Sequence, residues 1–203
     1  MDEMKNTVFL CGRALAEPVF SHENHAEAFY RFPLSVKRLS GQTDVLNILA
    51  TPPQFSHLLP LCGQTLQLEG PLRSFNNKSG TGSRLVLSVL CRSLEPSTLS
   101  DSNCVQLSGI ICKPPIFRRT PLGRCICDVM LAVNRRYGRS DYLPCIAWGQ
   151  VASIVSEMEV GMPLSVSGRF QSRTYTKQLP DSSEVRTAFE VSIMQLLSDA
   201  SGT

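Results

Sequence analysis

The chain has 203 residues, 42% of them hydrophobic and 18% charged, with a net charge of +3. This is enough apolar material for one or two folded domains, and the charge is too mild to mark the whole chain as a binder of polyanions, so any such role must lie in how charge is distributed. No stretch approaches the roughly 18 apolar residues of a membrane span, and the opening MDEMKNTVFLCG has acids where a secretory leader is basic, so a cytoplasmic chain with reduced cysteines and no membrane contact is expected.

Short alternating stretches predict strands at 8–13, 28–37, 44–50, 64–73 and 84–91. Between the third and fourth of these, TPPQFSHLLPLCG is interrupted by Pro60 and predicts a short helix only. The Ser- and Pro-rich EPSTLSDSN has no apolar periodicity and predicts a linker over 96–103. Strands then recur at 105–111, 125–134, 141–148, 162–172 and 187–195. In QVASIVSEMEVG, Val151, Ile154, Val155 and Met158 recur at helical spacing, with Gly161 placed to stop the helix.

The second set copies the first. At an offset of 97 residues, Val8, Leu10, Gly12, Pro18 and Phe20 fall on Val105, Leu107, Gly109, Pro115 and Phe117, and Leu34, Val36, Arg38, Gly41, Asp44 and Leu46 on Leu131, Val133, Arg135, Gly138, Asp141 and Leu143. After one inserted residue, GQTLQLEGPLRS falls on GMPLSVSGRFQS. Five strands with a helix between the third and fourth is the order of an OB fold, a five-stranded Greek-key barrel, with a small sandwich as the alternative. An all-β chain of two tandem barrels is therefore expected, spanning 1–95 and 104–203 around the 96–103 linker.

The copies differ in charge. Residues 113–139 hold Lys113, Arg118, Arg119, Arg124, Arg135, Arg136 and Arg139 against Asp128 alone, whereas residues 16–42 balance Arg31, Lys37 and Arg38 with Glu17, Glu23 and Glu27. Arginine suits an anion site because its planar fork binds phosphate oxygens through two hydrogen bonds and also stacks on bases. The copies differ in rings as well. The second has Tyr137, Tyr142, Trp148 and Tyr175 where the first has Ser40, Val45, Thr51 and Asn77. A cationic groove floored with rings binds an unpaired nucleic-acid strand with little sequence preference.

Other chemistries find little footing. Cys125 and Cys127 alternate onto the face of Val129, Leu131 and Val133, as buried thiols do, and no cysteine pair has metal-ligand spacing. There is no P-loop and no paired catalytic carboxylate. No cofactor, no metal and no catalytic residue is expected.

The segments VQLSGIICKPPIFR, DVMLAVNR, DYLPCIAWGQVASIV and VSGRFQSRTYT resemble the bacterial single-stranded DNA-binding protein family, including its relative the primosomal replication protein N. The resemblance covers 6–95 and, more strongly, 104–197. It implies OB folds, with Tyr137, Tyr142, Trp148 and Tyr175 at the family's stacking positions. With these rings, Arg118, Arg119, Arg124, Arg135, Arg136, Arg139, Arg169, Arg173 and Lys177 make up the expected surface for single-stranded DNA, RNA being an open alternative. The first domain would serve assembly or orientation. By the same resemblance the chain would act in DNA replication, recombination or repair at the nucleoid, and a homodimer would bring four OB domains together. The sequence closes on LLSDASGT, so the acidic tail with which the family recruits partners is not expected. The alternative is a primosome or recombination accessory factor that docks a protein and binds DNA weakly.

Overall fold

The computed structural model describes residues 5–77, 83–135, 138–178 and 183–197. They form strands β1 (Asn6–Ala14), β2 (Val19–Asn24), β3 (Glu27–Lys37), β4 (Thr43–Ala50), β5 (Thr65–Gly70), β6 (Leu72–Asn76), β7 (Leu85–Leu90) and β8 (Ser93–Pro96) in the first repeat, with a helix α1 (Pro52–Phe55). The second repeat contributes β9 (Ser102–Ile111), β10 (Ile116–Arg119), β11 (Cys125–Asn134), β12 (Ser140–Trp148), helix α2 (Gly149–Ser156), β13 (Pro163–Gln178) and β14 (Ser183–Leu196). The tandem all-β OB architecture read from the sequence is the observed one.

The chain parts into two compact units. One comprises residues 8–103 together with 171–189; the other comprises 1–7, 104–170 and 190–203.

In the first of these, β3 pairs antiparallel with both β1 and β4, β1 with β5, and β4 runs parallel to β7, which returns antiparallel to β6. Even-numbered residues of β3 point inward: Phe32, Leu34 and Val36 are buried with Leu10, Leu46, Ile48, Leu68 and Val89. The Ser- and Pro-rich stretch is fastened to this unit, Ser97 N–H donating to the Thr65 carbonyl at 2.9 Å and Lys37 N–H to Asp101 at 2.5 Å.

In the other unit the same connections recur. β11 pairs with β9, β10 and β12, β9 with β13, and β12 runs parallel to β14. Val105, Leu107, Val129, Leu131, Val133, Leu143, Val166 and Phe170 fill its interior. The matching glycines of the two repeats acquire a reason here. A Cβ on Gly12 would stand 2.2 Å from the Ser35 carbonyl oxygen, and one on Gly109 would stand 2.7 Å from that of Ala132, because strands cross there with backbones in contact. Gly168 is tighter still, with the Ser192 carbonyl oxygen 2.1 Å from the added atom. Gly168→Ala is accordingly expected to cost about 1 to 3 kcal/mol or more as backbone is forced aside, read as a drop in thermal midpoint.

Several elements differ from the sequence-based expectation. Helix α2 stops at Ser156 and leaves out Met158, because only Ala152 and Val155 reach the core and the acids Glu157 and Glu159 would oppose the dipole at a C-terminus. Between strands one and two each repeat forms an additional short strand, β2 and β10. Lastly β13 and β14 run well beyond the predicted 162–172 and 187–195, making a long two-stranded arm. Thr174, Tyr175 and Thr176 with Val185 and Thr187 favour strand, yet with both faces exposed or half-buried they lack the apolar alternation that marks one.

Candidate nucleic-acid interface

Strands β11 and β12 define a two-faced surface. In register, Cys127 faces Ala147, Val129 faces Cys145 and Leu131 faces Leu143, all buried. Burial pushes the Cys145 thiol well up and that of Cys91 up to about 12, so these thiols stay protonated as core side chains. On the alternate face Ile126, opposite Trp148, and Ile146 are still buried, Met130, Pro144 and Ala132 are half-buried, and Trp148 and Tyr142, the latter opposite Ala132, are exposed.

Tyr142 is 52% exposed and Trp148 38% exposed. Six residues apart on one strand, the rings lie about 20 Å from each other, so each offers a separate platform. Trp148 is not packed away beneath α2. Its Nε1–H donates to Ser192 Oγ at 3.1 Å on the parallel neighbour β14, which fixes the indole while a ring face stays accessible.

The arginines divide by partner. On β10, Arg118 sits opposite Ile126 and reaches Asp128 with Nε at 2.7 Å and Nη2 at 3.1 Å. Those hydrogen bonds to Asp128 raise the Arg118 pKa, with a further contribution from the charge of Glu190, so the guanidinium keeps its proton while much of its charge is answered. Arg135 is more firmly engaged. Its Nε donates to Asp141 Oδ2 at 2.8 Å and its Nη2 to Oδ1, and Asp141 is completely buried. The first repeat builds the same pair, Arg38 to Asp44, at 2.7 and 2.6 Å. Counting charge over residues 113–139 missed this, since the partner carboxylate lies just past the window.

Arg119 and Arg124 flank the turn of the β10–β11 hairpin, where Thr120 N–H donates to the Arg124 carbonyl at 2.9 Å. Both are exposed, as is Arg139 at the turn before β12, and none of the three has an ion pair among the described residues. Arg169 is half-buried on β13. Arg136 and Tyr137 lie outside the described residues.

The remaining predicted residues stand on the arm, in the unit of residues 8–103 and 171–189. Arg173, Tyr175 and Lys177 alternate along one face of β13, and the Arg173 guanidinium lies 5.7 Å from the centre of the Tyr175 ring. Sequence inspection passed over a third cation on the arm, Arg186 on β14. It donates to Glu184 Oε2 at 2.9 and 2.7 Å and also interacts with Tyr175.

The first repeat has rings on its outward face too. His22 and Phe29 stack with centres 5.0 Å apart and planes 10° apart, and Phe75 meets His22 edge-on at 6.5 Å. Alignment with the second repeat could not find them, because Val45, Thr51 and Asn77 occupy the aligned positions. The parity of β3 is the signal: Phe29 shares it with the outward Arg31, Pro33 and Ser35. These rings pack against one another.

Residues 102–197 match the model of the single-strand binding protein family. Among curated relatives, the single-stranded DNA-binding protein of Clostridium tetani is 35% identical over 80 residues, 36% of this chain and 55% of that protein. Single-stranded DNA-binding protein A of Bacillus subtilis is 32% identical over 83 residues, 37% of this chain and 48% of that protein. The matches thus span about half the length of these relatives. Among solved structures, the wild-type single-stranded DNA binding protein from Thermus aquaticus superposes with a TM-score of 0.77 over 100% of this chain and 96% of that one, at 23% identity, a likeness of fold. Among the described residues no helix is long and apolar enough to cross a membrane.

Proposed function

We propose that this chain, whose residues 102–197 match the single-strand binding protein family, is a member of that family and binds single-stranded DNA with little sequence preference. On this reading it is a binding protein and not an enzyme. The observation that carries the proposal is the pair of exposed rings on the outward face of β12, Tyr142 and Trp148, the second oriented by Ser192. Bases stack on these rings while Arg119, Arg124 and Arg139 take phosphates, and Arg173, Tyr175 and Lys177 on the arm act in the same way. Arg118 contributes less than its exposure suggests, and Arg135 holds Asp141 in place of a phosphate. The first repeat, whose rings are engaged with one another, has the lesser share of direct contact. The pathway is DNA replication, recombination or repair, and the working assembly is a homodimer with four barrels. A solution mass of about 45 kDa by light scattering, twice the 22.4 kDa of one chain, is the expected reading.

The test uses the chain's single tryptophan, Trp148. Oligo-dT titrated at low and then raised salt is expected to quench its emission, with affinity falling on a log–log slope of about −0.7 per phosphate neutralised. Duplex DNA is expected to bind far more weakly, and oligo-U reports the preference between DNA and RNA. No binding by quenching or by mobility shift would overturn the proposal and favour a factor that docks a protein partner.

A further inference from the structure

In the arm formed by the distal halves of β13 and β14, residues 171–189 group with the first repeat and not with the rest of the second. The contacts that join them there centre on one buried carboxylate. Asp44 is completely buried on β4, and its Oδ1 accepts the Ser172 N–H at 2.8 Å and the Ser172 hydroxyl at 3.4 Å as well as Arg38 Nη2 at 2.6 Å. The neighbouring Val45 N–H donates to Ser172 Oγ at 3.2 Å, and Arg38 Nη2 reaches the Ser172 carbonyl at 3.5 Å. Ser172 is thus gripped at its amide, its hydroxyl and its carbonyl. The returning strand is tied as well, Ser83 Oγ donating to the Thr187 carbonyl at 2.8 Å.

Immediately beyond Ser172 come Arg173, Tyr175 and Lys177. A two-stranded ribbon is marginal by itself in water, so the direction in which it presents these side chains depends on what holds its base. A charged acceptor with little access to water makes a strong and directional hold, because charge-assisted hydrogen bonds are about twice as strong as neutral ones.

From this geometry we infer that Asp44, with Arg38, is a positioning residue for strand binding: the first repeat's buried ion pair aims the arm of the second repeat, although neither residue touches the nucleic acid. The inference rests on the proposed role of Arg173, Tyr175 and Lys177. It gives the first repeat a definite task, which its neutral charge and mutually engaged rings would not suggest.

The experiment is a double-mutant cycle in the full chain, read by oligo-dT affinity and by hydrogen exchange over 173–178 and 183–188. One arm of the cycle is Arg173→Ala/Tyr175→Ala/Lys177→Ala. The other is Arg38→Met/Asp44→Leu, which removes both charges together and so avoids the unfolding that an unpaired buried ion invites. Asp44→Asn serves as a milder second variant. The arm substitutions are expected to weaken binding about tenfold in the wild-type background, given what one lost stacking ring costs. The anchor substitutions are expected to weaken it several-fold and to speed exchange in the arm. Combining the two should then add less than about twofold.

Losses that multiply, or an anchor variant that binds and exchanges like wild type, would overturn the inference. If the arm substitutions alone leave affinity unchanged, it is the strand-binding role of the arm that fails. Exchange in the arm still judges the anchor in that case: faster exchange in Asp44→Asn supports it, and unchanged exchange sinks it.

Discussion

Tyr142→Ala and Trp148→Ala are each expected to weaken oligo-dT binding by roughly 5- to 150-fold, since a base stacked on a protein ring is worth about 1 to 3 kcal/mol. Tyr142 is the cleaner position. It lies on the outward face of β12 opposite Ala132, with its neighbours Asp141 and Leu143 directed into the interior, so truncation removes a platform without opening a cavity. Thermal unfolding should stay within about 0.5 kcal/mol of wild type, as for other exposed substitutions. Tyr142→Phe keeps the ring and should retain most of the affinity. For Trp148 the substitution also leaves Ser192 Oγ without its donor, so some loss of stability accompanies the loss of binding. Because Trp148→Ala removes the fluorophore, both variants are compared by competition in a mobility-shift assay. Lys37→Ala, at an exposed position in the first repeat, is the control and should change affinity little. A folded Tyr142→Ala that binds as well as wild type would remove the main support for the interface.

The second large effect concerns stability. Asp141→Ala is expected to destabilise its unit by about 3 to 5 kcal/mol, because it strands the Arg135 guanidinium beside a buried site that has lost its charge. For a domain of this size such a loss lowers the unfolding midpoint by roughly 10 °C or more. Replacing both members, Arg135→Met with Asp141→Leu, should recover most of it, since an apolar pair of similar volume needs no compensation for desolvated charge. Calorimetry on the two variants decides. The pairing also changes what Arg135→Ala should do to binding. As a phosphate contact it would flatten the salt slope by about 0.7, the expectation that applies to Arg119→Ala and Arg124→Ala. As the partner of Asp141 it should lower the midpoint and leave that slope nearly unchanged.

The contrast between Arg119 and Arg135 shows where sequence reading stops. Both looked alike as cations in one acid-poor window. Whether a cation is spent on a carboxylate depends on a neighbour brought close by the hairpin turn between β11 and β12, where Arg135 N–H meets the Arg139 carbonyl at 2.6 Å. The first repeat held the clue in retrospect, for Arg38 and Asp44 recur at the same spacing as Arg135 and Asp141. A pair kept in both copies while the rings differ belongs to the barrel and not to its cargo.

What the sequence by itself determined is the local and the repeated: the tandem barrels, their core strands and the outward placement of Tyr142 and Trp148. Period-two alternation assigns each side chain to a face without reference to any distant residue, and an internal repeat states the architecture twice. Tertiary structure alone decided the rest. It placed the carboxylates that answer Arg118 and Arg135, brought His22, Phe29 and Phe75 together from three strands, and fastened the arm at Ser172 to Asp44. Each of these joins residues whose separation in the chain carries no periodic signal, so only the folded register, set by the packing of both sheet faces, brings them within a hydrogen bond or a ring contact.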